Sequence, residues 1–230
     1  MGRPAKFTRE QLQQAALALV DEDGLAGLTM RALASRLGTG AMTLYNYVSE
    51  REELEVLVVE AVVGKMQWVP DGDLAWDEEL EAIAWMLWRS IRVHPNAIPL
   101  ILTRRSRSPA VFGVTEALLH ALARSGRSGD RLLVAFRAVS ALIMGAAQAE
   151  LAGPLTLQAG ESASETIARF QALPPDRFPH LIEIATAASA SDAETEFRAV
   201  LALLVEGLRS GASEASTHPD GAPTRSPAGS

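Results

Sequence analysis

Cysteine is absent from the 230-residue chain, which excludes a disulfide framework and thiolate metal sites and agrees with a reducing, cytoplasmic setting. Aromatic residues are few, at 5%, so each one is a candidate for a specific task. No HExxH pattern and no glycine-rich phosphate loop occurs. Neither a metal nor a nucleotide cofactor is therefore expected, and no catalytic constellation points to an enzyme. Period-two apolar stretches are nearly missing, which argues against strands. Met1 to Arg9 is polar with no apolar stretch behind it, so no secretory signal is expected. The longest apolar stretch, Leu132 to Leu151, is interrupted by Arg137, Gln148 and Glu150, and a buried helix is expected there in place of a membrane span. Basic charge is also short, with a net charge of −7. Residues 1–51 nevertheless carry six basic against five acidic side chains, which leaves the acid excess to the remainder. A near-neutral head on an acidic body suits a molecule that turns one end towards phosphates.

What is present is alanine and leucine at helical spacing. Leu12, Ala15, Ala16, Leu19 and Val20 form one stripe, and Leu54, Leu57, Val58, Ala61 and Val62 another, so the fold class is all-α. Pro70 and Gly72 break the pattern, dividing a head at residues 1–65 from a larger helical unit at 70–209. Helices are expected over 77–93, 96–103, 109–125, 129–152, 163–172, 177–188 and 192–209. The Pro-, Gly- and Ser-rich segment 210–230 lacks apolar periodicity and is expected to be a disordered tail.

Thr8-Arg9-Glu10-Gln11 reads as a capping box stapled by Phe7 against Leu12, with Gly24 stopping the helix. Thr29 caps a second helix that buries Leu33, Ala34 and Leu37. Gly38-Thr39-Gly40 is a turn short enough to set two helices at about 90–120°. The third helix, Ala41 to Tyr47, is too short to stand alone and must lean on its neighbours through Leu44 and Val48. Ala41, Met42, Thr43, Tyr45, Asn46 and Tyr47 are then left outward or flanking the seam. Such groups suit base edges in a major groove: Ala41 or Met42 on a thymine methyl, Thr43 or Asn46 on a polar edge. Tyr47 equally suits bracing the helix end. Ser49-Glu50-Arg51-Glu52 reads as a further capping box, with Arg51 in the first turn of a fourth helix whose amino end can hold a phosphate.

The run Leu28-Thr-Met-Arg-Ala-Leu-Ala-Ser-Arg-Leu-Gly38, followed by Thr43-Leu-Tyr-Asn-Tyr-Val48 and Arg51-Glu-Glu-Leu54, resembles the TetR family of bacterial regulators and within it the tetracycline-repressor subgroup. The resemblance is strong over about residues 8–64. It implies that Ala41, Met42, Thr43, Asn46 and Tyr47 read bases and that Arg31, Tyr45 and Arg51 contact bases or backbone. It further implies a carboxy-terminal domain that binds a small molecule and dimerises through two helices of each subunit, here about 129–152 and 192–209. The expected partners are double-stranded operator DNA, a small-molecule effector and a second copy of the chain, with no membrane and no cofactor. Two heads on one two-fold axis imply a near-palindromic operator.

A repressor released by its effector is the expected mode. An activator or a ligand-independent regulator would carry the same head, and a helical scaffold or enzyme is the reading from another class. Tetracycline-binding members of the family carry a histidine after the first regulatory helix that helps hold drug-bound magnesium. This chain has Ile98-Pro-Leu-Ile-Leu102 there, so an uncomplexed, largely hydrophobic effector is expected. Trp85 and Trp88, three apart on one helical face, either fill the core or line an effector pocket with Ile101, Phe112, Phe136, Met144 and Gln148. Arg104-Arg105-Ser106-Arg107 reads as a solvated charge run.

Overall fold

The computed structural model describes residues 6–70, 72–104, 106–152 and 162–216, and among these it contains helices and no strand. The head comprises α1 (Arg9–Gly27), α2 (Met30–Arg36) and α3 (Ala41–Leu44), and α4 (Arg51–Val63) leads out of it. The body comprises α5 (Trp76–Arg92), a 3-10 turn (Pro95–Ala97), α6 (Ile98–Thr103), α7 (Pro109–Arg124) and α8 (Gly129–Ala152), then α9 (Ala163–Gln171), α10 (Pro179–Ala188) and α11 (Ala193–Ser216). One expected boundary is corrected. α11 continues to Ser216, through the first part of the segment expected to be structureless. The Arg127 guanidinium donates to the Leu208 carbonyl and anchors that end, and no proline interrupts the following Gly-Ala-Ser-Glu-Ala-Ser. The rest of the expected tail lies outside the described residues.

The local devices that start and stop the head helices are in place. The Thr8 hydroxyl accepts from the Gln11 amide at 3.2 Å while the Gln11 side chain accepts from the Thr8 amide at 2.8 Å. Gly24 departs from helical geometry at φ 67°, a left-handed conformation that glycine adopts without steric cost. Thr29 caps α2 by accepting from the Ala32 amide at 3.1 Å.

α4 is enclosed on nearly every side. Leu54, Leu57, Val58, Ala61 and Val62 are all buried, and so are Glu55 and Glu60. Its neighbours are α1 on one flank and α5, α6 and α7 on the other, so one helix belongs to both units. The head is also tied to the body at the 3-10 turn. The Asn96 amide donates to the Val20 carbonyl at 3.1 Å, and His94 Nδ1 lies 2.9 Å from the Asp21 carboxylate.

α8 corrects a second expectation. Ala135, Val139, Ile143 and Ala147 form a buried seam, but only 22% of the helix's most apolar stretch is buried in this chain. By length and composition that stretch would also pass as a membrane span. Its other side exposes Leu133 and Val134, the latter at 66%. α11 has the same two-sided character: Phe197, Leu201 and Val205 point inward while Val200 and Leu203 point out, Leu203 at 74% exposure. α9 and α10 pack chiefly on one another as a hairpin.

Candidate nucleic-acid interface and ligand cavity

The turn between α2 and α3 depends on Gly38, at φ 62°, a conformation that costs an L-residue with a Cβ about 1–2 kcal/mol. Backbone bonds from Gly38 to the Ser35 carbonyl and from Thr39 to the Ala34 carbonyl close the turn. α3 is a single turn that the fully buried Leu44 and Val48 hold against Leu33 and its neighbours. The outward side carries Met42 at 79% exposure, Tyr45 at 51% and the exposed Asn46, with Ala41 and Thr43 half-buried beside them. Among the described residues the Tyr45 hydroxyl, the Asn46 amide and the Arg31 guanidinium, exposed on the first turn of α2, have no intramolecular partner. These donors and acceptors are therefore available to an external ligand without a bond having to be broken.

Two residues expected at this surface are engaged elsewhere. The Tyr47 hydroxyl accepts from the backbone amides of Lys6 at 2.7 Å and Phe7 at 3.3 Å, and its ring meets Phe7 edge-on at 6.1 Å. It braces the amino-terminal arm, a contact not expected from the sequence. Arg51 Nε donates to Glu55 at 3.0 Å and Nη2 to the Leu25 carbonyl at 3.2 Å, so part of its donor set is spent inside the protein. The cap of α4 is shifted by one residue from expectation. Glu50 is the N-cap and makes no side-chain cap bond, whereas Ser49 donates from its amide and hydroxyl to Glu53 at 2.6 and 3.0 Å. Those two donors, the amide first, hold the Glu53 carboxyl below the ordinary glutamate range.

Behind the head, α4 to α8 line a half-open cavity of about 400 Å³. Val59 and Val63 of α4, Leu87 and Ile91 of α5 and residues of α6, α7 and α8 wall it. Four of the seven residues expected to line a pocket do so: Ile101, Phe112, Phe136 and Met144. Trp85, Trp88 and Gln148 do not. Trp88 is fully buried and stacks on Phe197 of α11 at 4.6 Å with the rings 5° from parallel, and Trp85 lies 5.9 Å from the same ring. The tryptophans thus occupy the face of α5 that packs on α11, while Leu87 and Ile91 turn to the cavity. Gln148 fails for a geometrical reason. Steps of four residues advance a side chain by about 40° around a helix, so the series Phe136, Ser140, Met144 leaves the cavity before it reaches Gln148, which is exposed.

Within the charge run after α6, Arg107 is exposed as expected and Arg105 lies outside the described residues, but Arg104 is half-buried and paired. Arg104 Nε donates to Glu55 at 2.5 Å and Nη1 to Glu52 at 3.1 Å. The buried Ser106 donates to Glu60 at 2.8 Å. Glu60 also receives Arg9 and Gln13 of α1, both at 2.8 Å. The one signal for this network in the sequence is the pair of glutamates at 55 and 60 inside the otherwise apolar stretch 54–63, since a buried carboxylate requires partners. No group of three or more His, Asp or Glu able to hold a metal occurs among the described residues.

A short, largely exposed helix on a three-helix head, joined by a shared helix to a body with an apolar cavity, has the form of a helix-turn-helix regulator. Residues 12–55 match the profile of bacterial regulatory proteins of the tetR family, and residues 69–211 that of the tetracyclin repressor-like C-terminal domain. An HTH-type transcriptional regulator of Saccharopolyspora erythraea is 33% identical over 144 residues, 63% of this chain and 61% of the relative. The HTH-type transcriptional repressor DrrR1 of Streptomyces coeruleorubidus is 31% identical over 65% of this chain, and the match spans 56% of its own length. Among solved structures, ActR of Streptomyces coelicolor in complex with actinorhodin is 26% identical, with a TM-score of 0.77 over 92% of this chain and 99% of ActR. The chain belongs to the TetR family of bacterial transcriptional regulators.

Proposed function

We propose that the chain is a repressor that binds a near-palindromic operator as a homodimer and is released by a small, largely apolar effector. Residues 1–65 act as the DNA-binding domain and 70–209 as the effector-binding and dimerisation domain. The observation that carries the reading is that α4 serves both: Leu54, Leu57 and Val58 are buried on the side of the head, while Val59 and Val63 wall the cavity. A molecule in the cavity therefore touches the same rigid rod on which the reading head sits. Arg31, Ala41, Met42, Thr43, Tyr45 and Asn46 meet bases and backbone, the remaining donors of Arg51 meet a phosphate, and Tyr47 supports the arm. The apolar outward faces of α8 and α11 support the dimer, since contiguous apolar surface of this kind is covered in stable proteins, and a second copy sets two heads on one axis. Repression is supported by the relative named a transcriptional repressor and by the tetracycline repressors of Escherichia coli, 29% identical for class E. Effector binding is supported by the ActR–actinorhodin complex. Such a regulator works in the cytoplasm, where the DNA is.

The test is fluorescence anisotropy with labelled DNA from upstream of the chain's own gene. Binding should fall steeply with salt and exceed binding to scrambled DNA by at least about a thousandfold at one ionic strength. Equal affinity for the two DNAs would falsify the reading.

A further inference from the structure

The wall between the cavity and α4 carries a charge relay, and we propose that the effector is an organic anion read by Arg104: an apolar body with a single carboxylate or comparable acidic group. The inference rests on the ligand-responsive function above and gives that ligand a chemical class. Arg104 is the one charged residue among the described residues lining the cavity, and apolar side chains dominate the rest. A half-open apolar pocket with one guanidinium at its edge, its side chain 35% exposed, favours an anion over a neutral isostere, because a charge-assisted hydrogen bond is stronger than a neutral one.

Arg104 is available at modest cost. Of its two carboxylate partners, Glu52 has a side chain 62% exposed and Glu55 one 9% exposed. A ligand anion can displace Glu52, whose carboxylate returns to water, and then compete for the bond to Glu55. That second bond is where the message passes. Glu55 is shared with Arg51, which holds the Leu25 carbonyl at the end of α1, shortly before the Thr29 cap of α2. Two residues further along the same loop, the cavity-lining Ser106 bonds Glu60, which is held from the other side by Arg9 and Gln13 of α1. Glu60 is thus held directly by α1 on one side and by Ser106 on the other, whereas Glu55 meets Arg104 and is linked to α1 through Arg51 of its own helix. Drawing Arg104 towards a ligand loosens the clasp at Glu55 and pulls on the one at Glu60. The ligand then shifts the head because Arg104 makes different bonds in its bound and free states, which is the differential interaction that any such coupling requires.

The experiment uses full-length protein, isothermal titration calorimetry and a matched pair of probes, 2-naphthoate and 2-naphthamide. The acid should bind at least about tenfold more tightly than the amide, and in Arg104→Gln the ratio should fall towards one. Glu52→Gln, at an exposed position, should tighten binding of the acid but not of the amide, because it removes the competing carboxylate. Arg104→Gln should also move operator affinity in the direction in which 2-naphthoate moves that of the wild type. Equal affinity of the wild type for acid and amide, absence of binding by both included, overturns the proposal. So does a preference that survives Arg104→Gln. Selective operator binding with no preference for the acid keeps the proposed function and removes this inference; a preference for the acid without operator binding does the reverse.

Discussion

The Tyr47 hydroxyl has two lone pairs and both are in use, on the amides of Lys6 and Phe7. Tyr45, two residues earlier, has a hydroxyl with no partner among the described residues and half its surface in solvent. The two phenols should therefore fail differently. Tyr47→Phe is expected to destabilise the protein by about 1 kcal/mol in urea unfolding and to weaken operator binding only as far as the arm contributes. Tyr45→Ala should leave the unfolding midpoint nearly unchanged and reduce operator affinity at least about tenfold in anisotropy titrations, the scale of one lost base contact. At Glu53 the amide and hydroxyl of Ser49 depress the carboxyl's pKa. A depressed folded-state value means that the stabilisation is present above the ordinary glutamate value of 4.5 and is lost as pH falls through the folded value. Ser49→Ala should raise the Glu53 titration midpoint, read by NMR, and shrink the loss of stability on acidification below that pH. The partners of Glu53 were not legible in the sequence, because Ser-x-x-Glu ending at Glu52 and the observed pairing of Ser49 with Glu53 differ by one residue, a choice made by the turn that delivers Val48 to the core.

Helix starts and stops were legible because they are local. A threonine hydroxyl reaches an amide three residues on whatever surrounds it, and a glycine takes a positive φ without help. Gly38 shows the value of that local rule. A Cβ there would meet nothing within 4 Å, so space is not the obstacle to a side chain; the φ of 62° is. Gly38→Ala should cost about 1–2 kcal/mol in unfolding free energy, measured by denaturant, and reduce operator affinity further by changing how α3 is presented. The faces of the long helices were harder to assign. Trp85 and Trp88 do share one face, as their spacing required, but spacing alone does not tell which neighbour that face meets. It meets Phe197, more than a hundred positions along the chain. Trp88→Ala should destabilise by about 3–5 kcal/mol, as a large buried ring does when it leaves a void, and thermal or urea unfolding will report it.

Taken whole, the molecule is two units with no slack between them. α4, the Asn96 and His94 contacts to the end of α1, and the loop at Arg104 and Ser106 tie head to body at three places. It also presents apolar faces on α8 and α11 that stand exposed among the described residues. Leu203→Glu, at an outward position on α11, is expected to convert the proposed dimer to monomer in sedimentation velocity and to cost operator binding at least about tenfold, since one head then binds without the other. Monomer folding should survive, because the inward seam of Phe197, Leu201 and Val205 is untouched. What the order of amino acids determined by itself was the all-helical class, the capped three-helix head and the exposure of Met42, Tyr45 and Asn46, because each rests on contacts within a few residues. What only the tertiary structure decided was which way the tryptophans face, where the cavity lies and how Arg104 and Ser106 reach the buried glutamates of α4. Those are meetings between segments 46 or more residues apart, and helical periodicity specifies that a face will be covered without specifying by what.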